Sequence, residues 1–369
     1  MKKLAIIGAN DFQRQLIQKA KEMGLETHVF AWEDGAVGKT EADHFYPISI
    51  VEKEQILEKC KEIGIEGICS IASDLAVLTV DYVAEKMGLY ANSIECSEIA
   101  TNKFLMRNAF KKNGDPIPKF IVVSENEEFN ISDFSYPLIV KPTDRSGSRG
   151  VTKITDKAQL PIAIKAACTE SFEHKAMIEE FAEGKEYSVE CISFHGKPTL
   201  LAVTEKITTG APHFIETGHN EPAPFSVEVI EEIKSIVYHA LNSLKITEGA
   251  SHSEIKIDDN GNIKIIEIGS RMGGDCIGSD LVRISTGYDF TKMVIDVAIG
   301  NEPDFTKIVE PRKAAVRFIF TEKDMETCED MLKNGWQLER KFIEHEFDGH
   351  EITDSSNRYG YYIMKGVRI

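Results

Sequence analysis

The segment Ser253 to Ile268, SEIKIDDNGNIKIIEI, constrains the fold more than any other. Two runs rich in isoleucine alternate with polar residues and meet at Asn260-Gly261, a dipeptide that suits a tight hairpin turn. A turn closing symmetrically over Asp259 to Asn262 sets Ile257 against Lys264 and Glu254 against Glu267. Directly opposed residues share a face, with side-chain roots about 5 Å apart. Two carboxylates so placed repel unless a positive charge sits between them. A hard divalent cation with oxygen ligands suits that position. Two solvated glutamates on an edge hairpin are the plain alternative.

The chain has 369 residues, more than one simple core accommodates, so two or three domains are expected. No apolar run approaches bilayer-spanning length. Leu4 to Ile7 follows two lysines but is too short for a secretory leader and reads as a first strand. The expectation is a cytoplasmic protein without membrane partners. Seven scattered cysteines with no CxxC imply neither a disulfide framework nor a zinc site, and read as buried small hydrophobes. The net charge of −17, with no basic face visible, argues against nucleic acid as a partner.

The first ninety or so residues alternate strand and helix. Leu4–Gly8, Thr27–Ala31 and Gly67–Ile71 read as strands, and Glu52–Ile63 and Asp74–Met87 as helices, the second capped by Ser73 or Asp74. This order implies a parallel sheet covered on both faces. It is not a dinucleotide fingerprint, because Asn10 and Gln13 stand where the second and third glycines belong, although Glu33 and Asp34 lie near the ribose-acid position. A helix beginning at Ser97 carries Lys103 and ends near Gly114. Strands follow at Lys119–Val123, Leu138–Lys141, Met177–Phe181, Tyr187–Phe194 and Thr199–Glu205, with a helix over 158–170 that has Pro161 in its first turn. Residues 206–224 read as a long polar loop, a helix spans Ser226–Leu244, and the tail after Gly300 shows one clear strand at Ala314–Phe320.

Lys141, Arg145, Arg149 and Lys153 surround a glycine–serine loop, TDRSGSRG, with only Asp144 opposing them. In so acidic a chain that concentration asks for an anion. Ser146, Gly147, Ser148 and Gly150 let backbone N–H groups approach it, and a polyphosphate fits, although a surface loop with incidental arginines accounts for the composition equally well. GxxxxGK[ST] is absent, so the loop is not a P-loop. Lys141 ends an apolar strand, YPLIVKP, where a charge is costly unless an anion pairs with it. Lys103 sits mid-helix, where an exposed lysine is the plainer reading. IEEFAEGKEYSVE is a strand, a turn and a strand, whose backbone can meet an adenine edge while Glu186 takes ribose hydroxyls; a plain hairpin explains it equally well. Arg271, among small residues after Glu267, can stabilise charge on a transferring phosphoryl group or simply pair with Glu254 or Glu267. His213, His219 and His252 lack zinc spacing and are assigned no metal.

Taken in order, the TNK helix, the IVKP strand, the glycine loop, the IEEFAEGKE hinge and SEIKI…IIEIGSR resemble the ATP-grasp superfamily over roughly residues 1–300. PHFIETGHNEPAPF and IEIGSRMGG resemble its carboxylate–amine ligase branch, which includes L-amino-acid ligases. The resemblance implies an α/β and α+β architecture. Its parts are an N-terminal parallel-sheet domain over 1–95, an ATP-grasp core over 96–300 with a glycine-loop subdomain over about 115–178, and a small C-terminal α+β domain over 301–369. It implies that Lys103 and Lys141 neutralise ATP phosphates beneath the Ser146–Gly150 loop. Glu179, Glu180, Phe181 and Ala182 face adenine, and Glu186 the ribose. Glu254 and Glu267 hold Mg2+, or Mn2+ in its place, and Arg271 stabilises the acyl-phosphate stage with Lys141 beside it. The implied reaction joins a small-molecule carboxylate to an amine. Relatives are often homodimers. Arg271 and Glu216 suggest a grip on amino-acid-like substrates. The family often has Asn two residues after the second metal glutamate, where this chain has Gly269, which puts a third protein ligand and a second metal in question. The alternatives are a ligase for bicarbonate or formate, as in the purine pathway, and a nucleotide-binding regulatory protein without turnover.

Overall fold

A computed structural model describes residues 1–369 except 146–148, 212–213 and 345. Three sheets organise it. The first is parallel throughout, with strands β1 (Lys3–Ile7), β2 (Glu26–Phe30), β3 (His44–Tyr46) and β4 (Gly67–Cys69) in the order β3-β2-β1-β4. Buried isoleucines of β1 face helices on both sides, since Leu4 and Ile6 join one apolar cluster and Ala5 and Ile7 another. That is what a strand buried on two faces requires. Helix Asp74–Met87 starts at Ser73, whose side chain accepts the Ala76 N–H.

The second sheet is antiparallel: β5 (Phe120–Ser124), β6 (Leu138–Pro142), β7 (Thr152–Ile154) and β8 (Lys175–Glu180), ordered β5-β8-β6-β7. Helix Leu160–Glu170 covers one face through Leu160, Ala163, Ile164 and Ala167, with Pro161 in its first turn. The third sheet has eight strands: β9 (Lys185–Phe194), β10 (Lys197–Thr208), β11 (Glu216–Glu221), β12 (Gly249–Ile257), β13 (Ile263–Gly269), β14 (Arg312–Ile319), β15 (Gln337–Ile343) and β16 (Gly360–Arg368). Their order is β13-β12-β9-β10-β11-β14-β16-β15, so the strands after residue 300 extend the central sheet. Helix Val227–Ser243 lays Ile233, Val237, Ala240 and Leu241 into its core.

Three expectations are corrected. The helix carrying Lys103 is two helices, Ile94–Thr101 and Lys103–Asn113. Asn102 leaves helical geometry and its side chain caps the second by accepting the Phe104 and Leu105 N–H groups. The polar stretch 206–224 is not one loop. β10 runs on to Thr208 and β11 spans Glu216–Glu221, held by β10 on one side and β14 on the other. Pairing on both sides gives a strand to a sequence, ETGHNE, that has no apolar alternation. Among the described residues, the tail after 300 holds three strands rather than one. All seven cysteines are buried and unpaired. Among the described residues no helix is long and apolar enough to cross a membrane.

Candidate active site

The hairpin β12–β13 turns at Asn260-Gly261, with Gly261 at φ 85° and the Asp258 carboxylate accepting N–H bonds from Asn260 and Asn262. Its register differs from the symmetric expectation near the turn, where Ile257 opposes Ile263 and Lys256 opposes Lys264. A bulge then lies between Ile255↔Ile265 and Glu254↔Glu267, and Ile266 is the extra residue. The bulge restores the expected opposition of Glu254 and Glu267.

These two acids edge a cleft between the second and third sheets. Each already faces an ammonium. Lys103 Nζ is 2.6 Å from Glu267 Oε1, and Lys206 Nζ is 2.6 Å from Glu254 Oε1. Lys206 also lies 2.8 Å from Glu186 and 3.6 Å from Glu216. Burial alone would lower the Lys206 pKa, but these three carboxylates outweigh it and hold the pKa well above the ordinary value. Burial likewise opposes ionisation of Glu254, yet Lys206 and His252 keep it well below the usual carboxylate range. Each acid of the pair is therefore matched by a cation.

Lys141, on β6, is buried and pairs with Glu179. Burial pushes its pKa down, against the pull of Glu179 and with the help of Arg107 and Lys103. Arg107 is the second partner of Glu179, at 3.0 Å, and Nη2 donates to the Ile266 carbonyl at 2.7 Å. Arg271 is gripped at two points by Asp74, Nε to Oδ1 at 2.7 Å and Nη2 to Oδ2 at 3.2 Å. Beside them His252 bonds Glu190 through Nδ1 and lies 3.5 Å from Glu254 through Nε2. Burial opposes its charge, but Glu190 prevails and its pKa is raised to about 9.

The residues singled out from sequence are distributed as follows. Lys103, Lys141, Glu179, Phe181, Ala182, Glu186, Glu254, Glu267 and Arg271 line one cleft, with Arg145 and Glu216. Glu179 spends its carboxylate on Lys141 and Arg107. Glu180 is not among the lining residues, and its side chain accepts the Ser135 N–H at 2.9 Å. The N–H groups of Glu180 and Phe181 are bonded to Lys119 and Pro137 carbonyls. Gly150 also stands apart, with Pro142 and Glu170 against the space a side chain would fill. Ser146, Gly147 and Ser148 lie outside the described residues, as does His213. The Phe181 ring lies under two ammonium groups, Lys153 at 3.5 Å and Lys256 at 4.3 Å from its centroid. Gly184, at φ 104°, brings this linker against the hairpin, where a Cβ would fall 2.1 Å from the Ile257 carbonyl oxygen.

Sequence reasoning passed over Arg107, Lys206, Asp74 and the His252–Glu190 pair. Lys206 carried the same signal as Lys141, a charge late in an apolar run, here LLAVTEKIT. The donor set suits Mg2+: two carboxylates on facing strands, both partly open to the cleft. Gly269 contributes no ligand. A Cβ there would sit 3.2 Å from Asp74 Oδ1 and 3.3 Å from the Arg271 guanidinium, so that pair fills the space of a third side chain.

The family model for the ATP-grasp domain matches residues 134–279. The chain is 28% identical over 278 residues to alanine–anticapsin ligase of Bacillus subtilis strain 168, a match covering 68% of this chain but only 58% of that relative's length. The L-amino acid ligase structure from Bacillus licheniformis superposes over 100% of this chain and 94% of that one, with TM-score 0.82 and 23% identity. The biotin carboxylase domain of the Hydrogenobacter thermophilus 2-oxoglutarate carboxylase, solved with MgADP, ADP and bicarbonate, superposes over 100% and 86%, with TM-score 0.75 and 19% identity. Residues 134–279 thus match the ATP-grasp domain, and the chain is similar in sequence to an alanine–anticapsin ligase and in fold to an L-amino acid ligase.

Proposed function

We propose that this chain is an ATP- and Mg2+-dependent, ADP-forming ligase that activates a carboxylate as an acyl phosphate and joins it to an amine, with amino-acid-like substrates. The observation that carries this reading is the opposition of Glu254 and Glu267, each matched by a lysine, at the mouth of a cleft that also holds Lys141 and Arg271. A nucleotide in this cleft lays its base against Phe181, Ala182, Ile139 and Ile266, its ribose near Glu186 and its phosphates toward Lys103 and Lys141. Mg2+ on Glu254 and Glu267 supplies charge neutralisation for the phosphates. In the first step a substrate carboxylate oxygen attacks the γ-phosphorus and ADP leaves. In the second an amine nitrogen attacks the acyl carbon, phosphate leaves and the amine loses a proton. Arg271, immobilised by Asp74, is placed to stabilise the negative charge that develops on the acyl group. Positioning and charge neutralisation account for the catalysis, as in other phosphoryl transfers. Arg271 and Glu216 are the candidate grips for an amino-acid carboxylate and amine. A cytoplasmic location suits such a nucleotide-dependent reaction.

The test is phosphate release over a panel of amino acids, singly and in pairs, with mass spectrometry of the products. Release that depends on both a carboxylate and an amine, with a condensed product, is expected. Release driven by bicarbonate or formate alone, or no substrate-dependent release, overturns the ligase reading.

A further inference from the structure

Away from the cleft, β2 and β3 present an unusual ladder of rings. Residues alternate faces along a strand, so Glu26, His28 and Phe30 share one face of β2, and His44 and Tyr46 one face of β3. His28 pairs in register with His44, and Phe30 with Tyr46. Phe30 stacks on Tyr46 at 4.8 Å, Tyr46 neighbours His28 at 6.0 Å, and His28 stacks on His44 at 4.7 Å, all within 20° of parallel. The stack fixes both imidazoles. Their Nε2 atoms converge on one carboxylate oxygen, Glu26 Oε1, at 3.1 Å from His28 and 3.2 Å from His44.

We propose that Glu26, His28 and His44 form a binding site for a divalent first-row transition cation such as Zn2+, separate from the nucleotide cleft. A zinc ion about 2.0–2.1 Å from each ligand holds adjacent donor atoms roughly 3.3 Å apart, close to the two imidazole–carboxylate separations here, and all three donor atoms lie within 4.8 Å of one another. Two imidazoles and a carboxylate suit zinc, cobalt or nickel better than Mg2+, which takes oxygen ligands. The surroundings are also built for a ligand. The Tyr46 hydroxyl lies 3.1 Å from His28 Nδ1. When His28 Nε2–H donates to Glu26, that hydroxyl donates to Nδ1. When Nε2 binds a cation, Nδ1–H donates to the hydroxyl instead. The imidazole therefore changes tautomer without losing its orienting bond, the support that metal-bound histidines ordinarily have. His28 is buried and His44 half-exposed, which leaves one side of the trio open to solvent. Asp43, next to His44, is already committed to Thr27 and Lys21, so the remaining coordination positions fall to water.

A hydrogen-bonded aromatic ladder without metal affinity is the competing account, and a cobalt titration separates the two. Co2+ is added to the full chain in excess Mg2+ and followed by its visible absorption, in the wild type, His44→Ala, Glu26→Gln and Glu267→Gln. The expected result is one saturable equivalent with the bands of four- or five-coordinate cobalt. Affinity should fall at least tenfold in His44→Ala and in Glu26→Gln, and be unchanged in Glu267→Gln. His44 is half-exposed, so its alanine variant should fold, and its unfolding temperature without metal checks this. Binding equally tight in His44→Ala, binding lost only in Glu267→Gln, or no binding by the wild type would each overturn the site.

Discussion

Arg107 donates through Nη2 to the carbonyl of Ile266 at 2.7 Å, and Ile266 is the residue that the bulge in β13 leaves without a ladder partner. The same guanidinium holds Glu179, which in turn holds Lys141. One buried side chain on helix Lys103–Asn113 thus ties the acid-bearing strand to the strand carrying the lysine. Arg107→Met strips the bulge carbonyl of its donor and leaves Glu179 with a single counter-charge. Unfolding in urea should show a loss of about 3–5 kcal/mol, the scale for breaking a buried pair. Arg107→Lys keeps the charge but not the two-point fork, and should fall between.

Glu267→Gln removes one of the facing acids and the partner of Lys103. Mg-dependent turnover should drop by roughly 100-fold or more, the scale for losing one electrostatic stabiliser, with an unchanged circular dichroism spectrum. Retention of wild-type turnover at ordinary Mg2+ concentration would remove Glu267 from the metal site.

Lys206→Met leaves Glu186, Glu216 and Glu254 without their shared ammonium. The expected loss is about 3–5 kcal/mol of stability, because the acids left behind repel one another without compensation. Added Mg2+ should raise the unfolding temperature of this variant more than that of the wild type, since a divalent cation can occupy the vacated charge position. Equal Mg2+ shifts in the two proteins would count against Glu254 as a cation ligand.

Glu221 is buried on β11 and accepts hydroxyl bonds from Thr204 and Ser285. Burial raises its carboxyl from the ordinary 4.5 to about 7, outweighing those two bonds. The folded state therefore holds a proton that the unfolded state releases between these values. Its contribution to stability is full below about 4.5 and is lost as pH rises through about 7. Glu221→Gln carries no such proton. Relative to wild type it should gain on the order of 2–3 kcal/mol between pH 4.5 and pH 8, read from denaturant unfolding across that range. Parallel pH profiles for the two proteins would show that Glu221 is ionised when folded.

Local pattern was enough to find the parallel N-terminal sheet, the Lys141 strand and the acidic hairpin. The Glu254–Glu267 opposition was reached through a turn register that is off by one near the turn, and the bulge at Ile266 cancels the error. Nothing in IKIIEI marks which isoleucine is the extra one, because Arg107, far away in sequence, stabilises that choice. β11 was illegible for a related reason. ETGHNE has no apolar alternation, and only its neighbours on both sides make it a strand. Lys206 was legible by the reasoning applied to Lys141 and was passed over within a stretch taken for a loop. The grip of Asp74 on Arg271 spans two sheets' worth of chain, and no local spacing encodes it.

The place of β14 in the central sheet has a consequence for protein engineering. β14 zips onto β11, the strand that presents Glu216 to the cleft. Swapping the stretch after residue 300 for that of a relative would therefore exchange the rail on which this flank of the cleft is mounted. Chimeras joined at that point should shift substrate preference as well as stability, even where every exchanged residue lies outside the pocket.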